Sequence, residues 1–138
     1  MKRYKFQTRA ARGESPVDQE TGALSVPIYQ TASFAFPPGE AGRAIIAGEA
    51  EGYFYSRFSN PTTAAFERDV AALESAEAAL AFNSGMAAIS TLVLAHVGAG
   101  DHLLTQRQLY GGTAIFFAEQ LPRFGVAITY VEEPTAEA

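Results

Sequence analysis

The chain is defined first by what it leaves out. None of its 138 residues is cysteine, which excludes disulfides, thiolate nucleophiles and cysteine-bound metal. Histidine occurs only as His96 and His102, too few for a histidine-based metal centre. No stretch approaches the roughly 20 apolar residues of a membrane-spanning helix, so no membrane partner is expected. The N-terminal string MKRYKFQTRAARGES is basic and poor in acid. No apolar segment follows it, which argues against a secretory signal and for a cytoplasmic protein. Ten basic residues stand against 15 acidic ones, a net charge of −5. With no basic stripe, a nucleic-acid partner is not expected. Lysine is limited to Lys2 and Lys5.

What remains is a globular composition. Hydrophobic residues make up 48% of the chain, and a domain of this length buries roughly two thirds of its unfolded surface. Residues 1–38 show no helical period and carry Pro16, Pro27, Pro37 and Pro38; they read as an extended arm. A short helix is expected over Glu40–Ala47, closed by Gly48, so the arm region extends over 1–50. Asn60 is a good N-cap, and Pro61 suits the first helical position. Phe66, Val70 and Leu73 follow on one helical face.

Ala79–Phe82 reads as a first strand and turns through Asn83-Ser84-Gly85 into a helix over Met86–Val97. That helix is apolar nearly all round and is expected to be buried on several sides. His102–Thr105 is a second strand. A third helix, Thr113–Phe124, places Phe117, Leu121 and Phe124 on one face, with Pro122 shortening or kinking it. Val126–Val131 is a third strand. The order β-α-β-α-β over 51–138 predicts an α/β fold with parallel strands.

Three short motifs carry residues suited to chemistry. At Ser84-Gly85-Met86 a strand feeds a helix, where unpaired N–H groups and the helix dipole favour an anion. Tyr55-Ser56-Arg57, leading into Asn60-Pro61-Thr62, offers a guanidinium fork and a hydroxyl suited to phosphate. Tyr110-Gly111-Gly112-Thr113 offers a tyrosine that can stack on a ring or carry a proton. Each alone fits an ordinary turn or surface loop at least as well; together they suit a phosphorylated planar ring.

With Ser25–Thr31, Gly52–Thr62, Ser84–Ala88, Gly100-Asp101-His102 and Tyr110–Thr113, nearly the whole chain resembles the Cys/Met-metabolism, or transsulfuration, family of pyridoxal-phosphate enzymes. The resemblance implies an N-terminal arm plus the first part of the large parallel-sheet domain of a fold-type I, aspartate-aminotransferase-like enzyme. It implies pyridoxal 5′-phosphate as cofactor, with Ser84, Gly85 and Met86 at its phosphate. Tyr55 and Arg57 would reach the cofactor phosphate of a neighbouring subunit, within a homotetramer built as a dimer of dimers. Tyr110 would stack on the pyridine ring and help in proton transfer as the catalytic residue. The arm would wrap an adjacent subunit. The substrate would be a small amino acid of the O-acylhomoserine or cystathionine type, undergoing γ-replacement or γ-elimination.

The departures from the family pattern shape the expectation. The aspartate that pairs with the pyridine nitrogen, the Schiff-base lysine and the arginine for the substrate carboxylate have no counterpart among these residues. The resemblance therefore implies the first third of a longer enzyme, or a truncated product inactive alone. Gly112 stands where methionine γ-lyases of the family carry cysteine, which favours a γ-synthase or sulfhydrylase. A different class remains open: a non-catalytic α/β module binding phosphate at Ser84–Met86.

Overall fold

The computed structural model describes residues 5–13 and 17–132. The chain divides into two compact units, residues 1–81 and 82–138.

The first unit holds three helices: α1 (Phe6–Arg12), α2 (Glu40–Ile46) and α3 (Pro61–Glu74). Helix α1 corrects the expectation of an extended arm throughout 1–38. Its sequence FQTRAAR holds alanine, arginine and glutamine, all good helix formers, and no proline interrupts it. Gly13 ends it with a φ of +68°, and a β-carbon there would lie 2.7 Å from Asp69 Oδ2 of α3. Glycine is thus required twice over, for the left-handed turn and for the close approach. Pro16 and residues 1–4 of the expected arm lie outside the described residues.

Helix α2 matches its expected span, with Ala47 as its C-cap. Helix α3 begins as expected: Asn60 caps it by accepting from Thr62 N–H, with Pro61 at its start. Its buried residues, however, are Ala65 and Ala71, while Phe66 is 61% exposed. Val70 and Leu73 of the expected face are half-buried, so Phe66 alone of the three turns outward.

In the second unit α4 (Gly85–His96) leads to β1 (His102–Gln106). Helix α5 (Gly111–Ile115) follows and widens into a π turn over Phe116–Gln120. It then tightens into a 3₁₀ turn over Leu121–Phe124, and Gly125, at φ +78°, ends it before β2 (Ala127–Val131). Pro122 has the shortening effect expected of it, since it lacks the N–H that an α-helix would need there. β1 and β2 pair in parallel, from His102 opposite Ala127 to Gln106 opposite Val131. Gly100 N–H donates to Gly125 O at 2.9 Å, and Ala127 N–H to Asp101 O at 2.9 Å, fixing where the pairing starts.

Three further expectations change. Ala79–Phe82 is not a strand: the Ala81 N–H donates to Glu67 Oε1 instead of to a ladder, and Leu80 is 72% exposed. Among the described residues the parallel sheet therefore has two strands rather than three. Helix α4 is packed on one side only: Ile89 and Val93, with Val97 beyond, meet the core, whereas Leu92 is 63% exposed. The core itself is Phe117, Leu121 and Val126, joined by Leu103 and Ile128 from the strands. Phe124 leaves the face it was expected to share, because the π and 3₁₀ turns change the angular step between residues.

Candidate functional site

In the second unit the site is built around the start of α4. Ser84 is extended and caps the helix, its Oγ accepting from Ala87 N–H at 3.1 Å. Because that oxygen only accepts here, its own proton remains available to donate. Among the described residues no acceptor takes the Gly85 and Met86 N–H groups, as expected for the first turn of a helix. No acidic residue stands in that turn, and nothing lies within 4 Å of a β-carbon built on Gly85. Two backbone donors at the positive end of a 12-residue helix thus lack an acceptor, an arrangement that favours an anion.

Tyr110 and Met86 meet across Gly112. A β-carbon at Gly112 would lie 2.8 Å from Tyr110 Cε1 and 3.3 Å from Met86 Sδ. The Thr113 hydroxyl donates to Met86 Sδ at 3.5 Å, which holds the thioether against the start of α5. Thr113 is buried, whereas Tyr110 is 73% exposed and offers its ring to solvent. Ser84, Gly85, Met86 and Tyr110 are therefore gathered in one place by the second unit.

Tyr55 and Arg57 belong to the first unit. The Arg57 guanidinium carbon lies 5.2 Å from the ring centres of both Tyr55 and Phe58, a stacking that suits its weakly hydrated plane. No described residue pairs with its N–H donors through a hydrogen bond or ion pair. Phe58 in turn packs on Phe54 at 4.9 Å between ring centres.

The intervening motif residues do something else. Ser56 Oγ donates to Thr31 O, and Ser56 N–H donates to Ala32 O at 2.9 Å. Phe34 N–H donates to Phe54 O at 3.0 Å, and Ser33 forms an antiparallel bridge with Tyr55. Asn60 Nδ2 donates to Tyr29 O at 3.0 Å and to Ser56 Oγ at 2.9 Å. Thr62 Oγ1 donates to Pro27 O at 3.0 Å and accepts from Tyr29 N–H at 2.9 Å. Ser56, Asn60 and Thr62 thus tie residues 27–34 down through their side chains. Residues 53–60 read Tyr-Phe-Tyr-Ser-Arg-Phe-Ser-Asn, with no periodic pattern that marks this role in the sequence.

The Cys/Met metabolism PLP-dependent enzyme family matches residues 7–138. O-acetyl-L-homoserine sulfhydrylase of Corynebacterium glutamicum is 42% identical over 129 residues, covering 94% of this chain and 30% of that protein. L-methionine gamma-lyase of Pseudomonas putida is 44% identical over 134 residues, covering 96% and 33% respectively. A Campylobacter jejuni structure described as an O-acetylhomoserine (thiol)-lyase, containing N′-pyridoxyl-lysine-5′-monophosphate, superposes with a TM-score of 0.85. It is 28% identical, with 93% of this chain and 31% of that one covered. The chain thus spans about a third of the length of these relatives.

Proposed function

Because the chain belongs to the Cys/Met-metabolism family of pyridoxal-phosphate-dependent enzymes and has the α/β architecture of fold-type I, we propose that it supplies the phosphate-and-ring side of a pyridoxal 5′-phosphate site. The enzyme it serves acts by γ-replacement or γ-elimination on O-acylhomoserine or cystathionine-type amino acids. One observation carries the reading: the helix start that leaves the Gly85 and Met86 N–H groups unclaimed is joined to the exposed ring of Tyr110 through the Met86 side chain, which approaches that ring at Gly112.

The residues fit the group in part. The start of α4 suits the phosphate, with Ser84 Oγ–H as a third donor, and Tyr110 suits one face of the ring. The aldehyde finds no amine in the second unit, since both lysines, Lys2 and Lys5, precede it. The bound cofactor would supply an electron sink for negative charge on the substrate. This chain's own residues would hold and orient it, and the Tyr110 hydroxyl would move a proton. Tyr55 and Arg57 would hold the phosphate bound by a neighbouring subunit, in a cytoplasmic homo-oligomer built as a dimer of dimers. Residues 1–50 would act as the arm and 51–138 as the first half of the cofactor domain.

The test is titration with pyridoxal 5′-phosphate, pyridoxal and inorganic phosphate, followed by amide and tyrosine NMR signals. The reading expects the phosphate-bearing ligands to shift Gly85 and Met86, and both pyridoxal compounds to shift Tyr110. Borohydride reduction should fix the cofactor at most on Lys2 or Lys5, located by peptide mapping. Binding of pyridoxal 5′-phosphate without any change at Ser84–Met86 would refute the site. One rival reading is a non-catalytic phosphate-binding module. That module would respond to inorganic phosphate at the same amides and leave Tyr110 unmoved by pyridoxal.

A further inference from the structure

Tyr55 and Arg57 sit on a loop whose geometry depends on one buried amide. Asn60 is only 9% exposed and uses every hydrogen-bonding direction that its surroundings provide. Its Oδ1 accepts from Thr62 N–H at 2.9 Å, while its two Nδ2 protons go to Tyr29 O and Ser56 Oγ. The amide cannot be turned over, because the NH₂ would then face the Thr62 donor and the oxygen would face the Tyr29 carbonyl. Two donors and one acceptor on a short stem are what an asparagine offers. Aspartate keeps the acceptor and loses both donors.

Ser56 links this amide to the exposed pair. It receives Asn60 Nδ2 and passes its own proton to Thr31 O, while its N–H goes to Ala32 O. Ser56 is held to the arm, while its neighbours Tyr55 and Arg57 are exposed, with the Arg57 guanidinium carbon 5.2 Å from the ring centres of both Tyr55 and Phe58. We propose that Asn60, acting through Ser56, is a positioning residue that fixes the arm at 27–34 and the Arg57–Tyr55 pair as one unit. Its importance for cofactor binding rests on the reading that Arg57 meets a phosphate.

Asn60→Asp separates the two duties of this side chain. Aspartate caps helices as well as asparagine does, so protection of the Thr62 amide and of α3 should persist. The Ser56 and Phe34 amides should exchange about tenfold faster or more as the arm loosens. The upfield ring-current shift of the Arg57 Cδ protons should collapse, and pyridoxal 5′-phosphate affinity should fall. Ser56→Ala, which leaves α3 untouched, should give the same pattern if Asn60→Asp does not fold. Unchanged exchange and an unchanged Arg57 shift would overturn the proposal. Faster exchange with the Arg57 shift retained would also overturn it, since the clamp would then serve the arm alone. A lost Arg57 shift in a protein whose cofactor affinity is indifferent to Arg57→Ala would support the positioning and refute the phosphate reading.

Discussion

Replacing Gly112 with alanine should displace the Tyr110 ring and leave the fold about as stable as before. The new β-carbon would stand 2.8 Å from Tyr110 Cε1 and 3.3 Å from Met86 Sδ. Ordinary carbon contacts begin near 3.5 Å, so the ring must retreat by about 1 Å. The atom in the way is the edge of an exposed ring, not backbone, and an off-rotamer torsion costs about 0.5–1.5 kcal/mol. The thioether of Met86 adapts more readily still. Against this, Gly112 lies within a helix at negative φ, where alanine gains roughly 0.5–1 kcal/mol over glycine. The two effects nearly cancel. Urea unfolding followed by circular dichroism should therefore place the variant within about 1 kcal/mol of the parent. Nuclear Overhauser contacts between the Tyr110 ring and the α5 start should weaken at the same time, and pyridoxal 5′-phosphate should bind less tightly. A loss above about 2 kcal/mol would show that backbone, not a ring edge, meets the new carbon. Unaltered ring contacts would show that glycine is not what seats Tyr110.

Five further outcomes are open to measurement. Leu121→Ala, at a side chain with 0% exposure, should lose about 2–5 kcal/mol in urea unfolding. Leu92→Ala on the exposed side of α4 should lose less than about 0.5 kcal/mol. Arg57→Lys should weaken retention of pyridoxal 5′-phosphate well beyond one surface charge, because lysine lacks the planar fork; an equal dissociation constant would refute this. The Thr21 hydroxyl, and then its N–H, hold the Asp18 carboxyl below its ordinary value of 3.8. The turn at 18–23 is thus fully supported above that pH, and Thr21 amide protection should fade as pH drops below it. Leu24, Ile28, Leu80, Leu92 and Leu104 are each more than half exposed, so sedimentation should show self-association; a monodisperse monomer at NMR concentration would contradict it.

Local signals proved legible where one residue type answers one backbone need. Asn60 with Pro61, and Gly125 after Pro122, mark helix ends that the structure keeps. Val126–Val131 reads as β from its own composition, and β2 lies there. What escaped depends on partners. Ala79–Phe82 has the composition of a strand, but a strand exists only if a neighbour takes its N–H groups, and Glu67 takes one of them. The apolar circumference of α4 likewise says nothing about how many sides are covered. At the candidate site Ser84–Met86 and Tyr110 were placed together by motif order alone. The duty of Ser56 and Asn60 was hidden because a polar side chain in a loop looks the same whether it faces a ligand or a distant carbonyl.

The π turn at Phe116–Gln120 has a consequence for how this stretch tolerates changes in length. Its hydrogen bonds span five residues rather than four, so the turn accommodates about one residue more than an α-helix would. That surplus residue is a ready site for deletion. A chain shortened by one residue here could wind as continuous α-helix up to Leu121, with the glycine-rich start and the Pro122 stop both preserved. The same loss inside β1 or β2 would throw every later side chain onto the opposite face of the sheet. Among homologous chains, single-residue length differences should collect at this turn and spare the strands on either side.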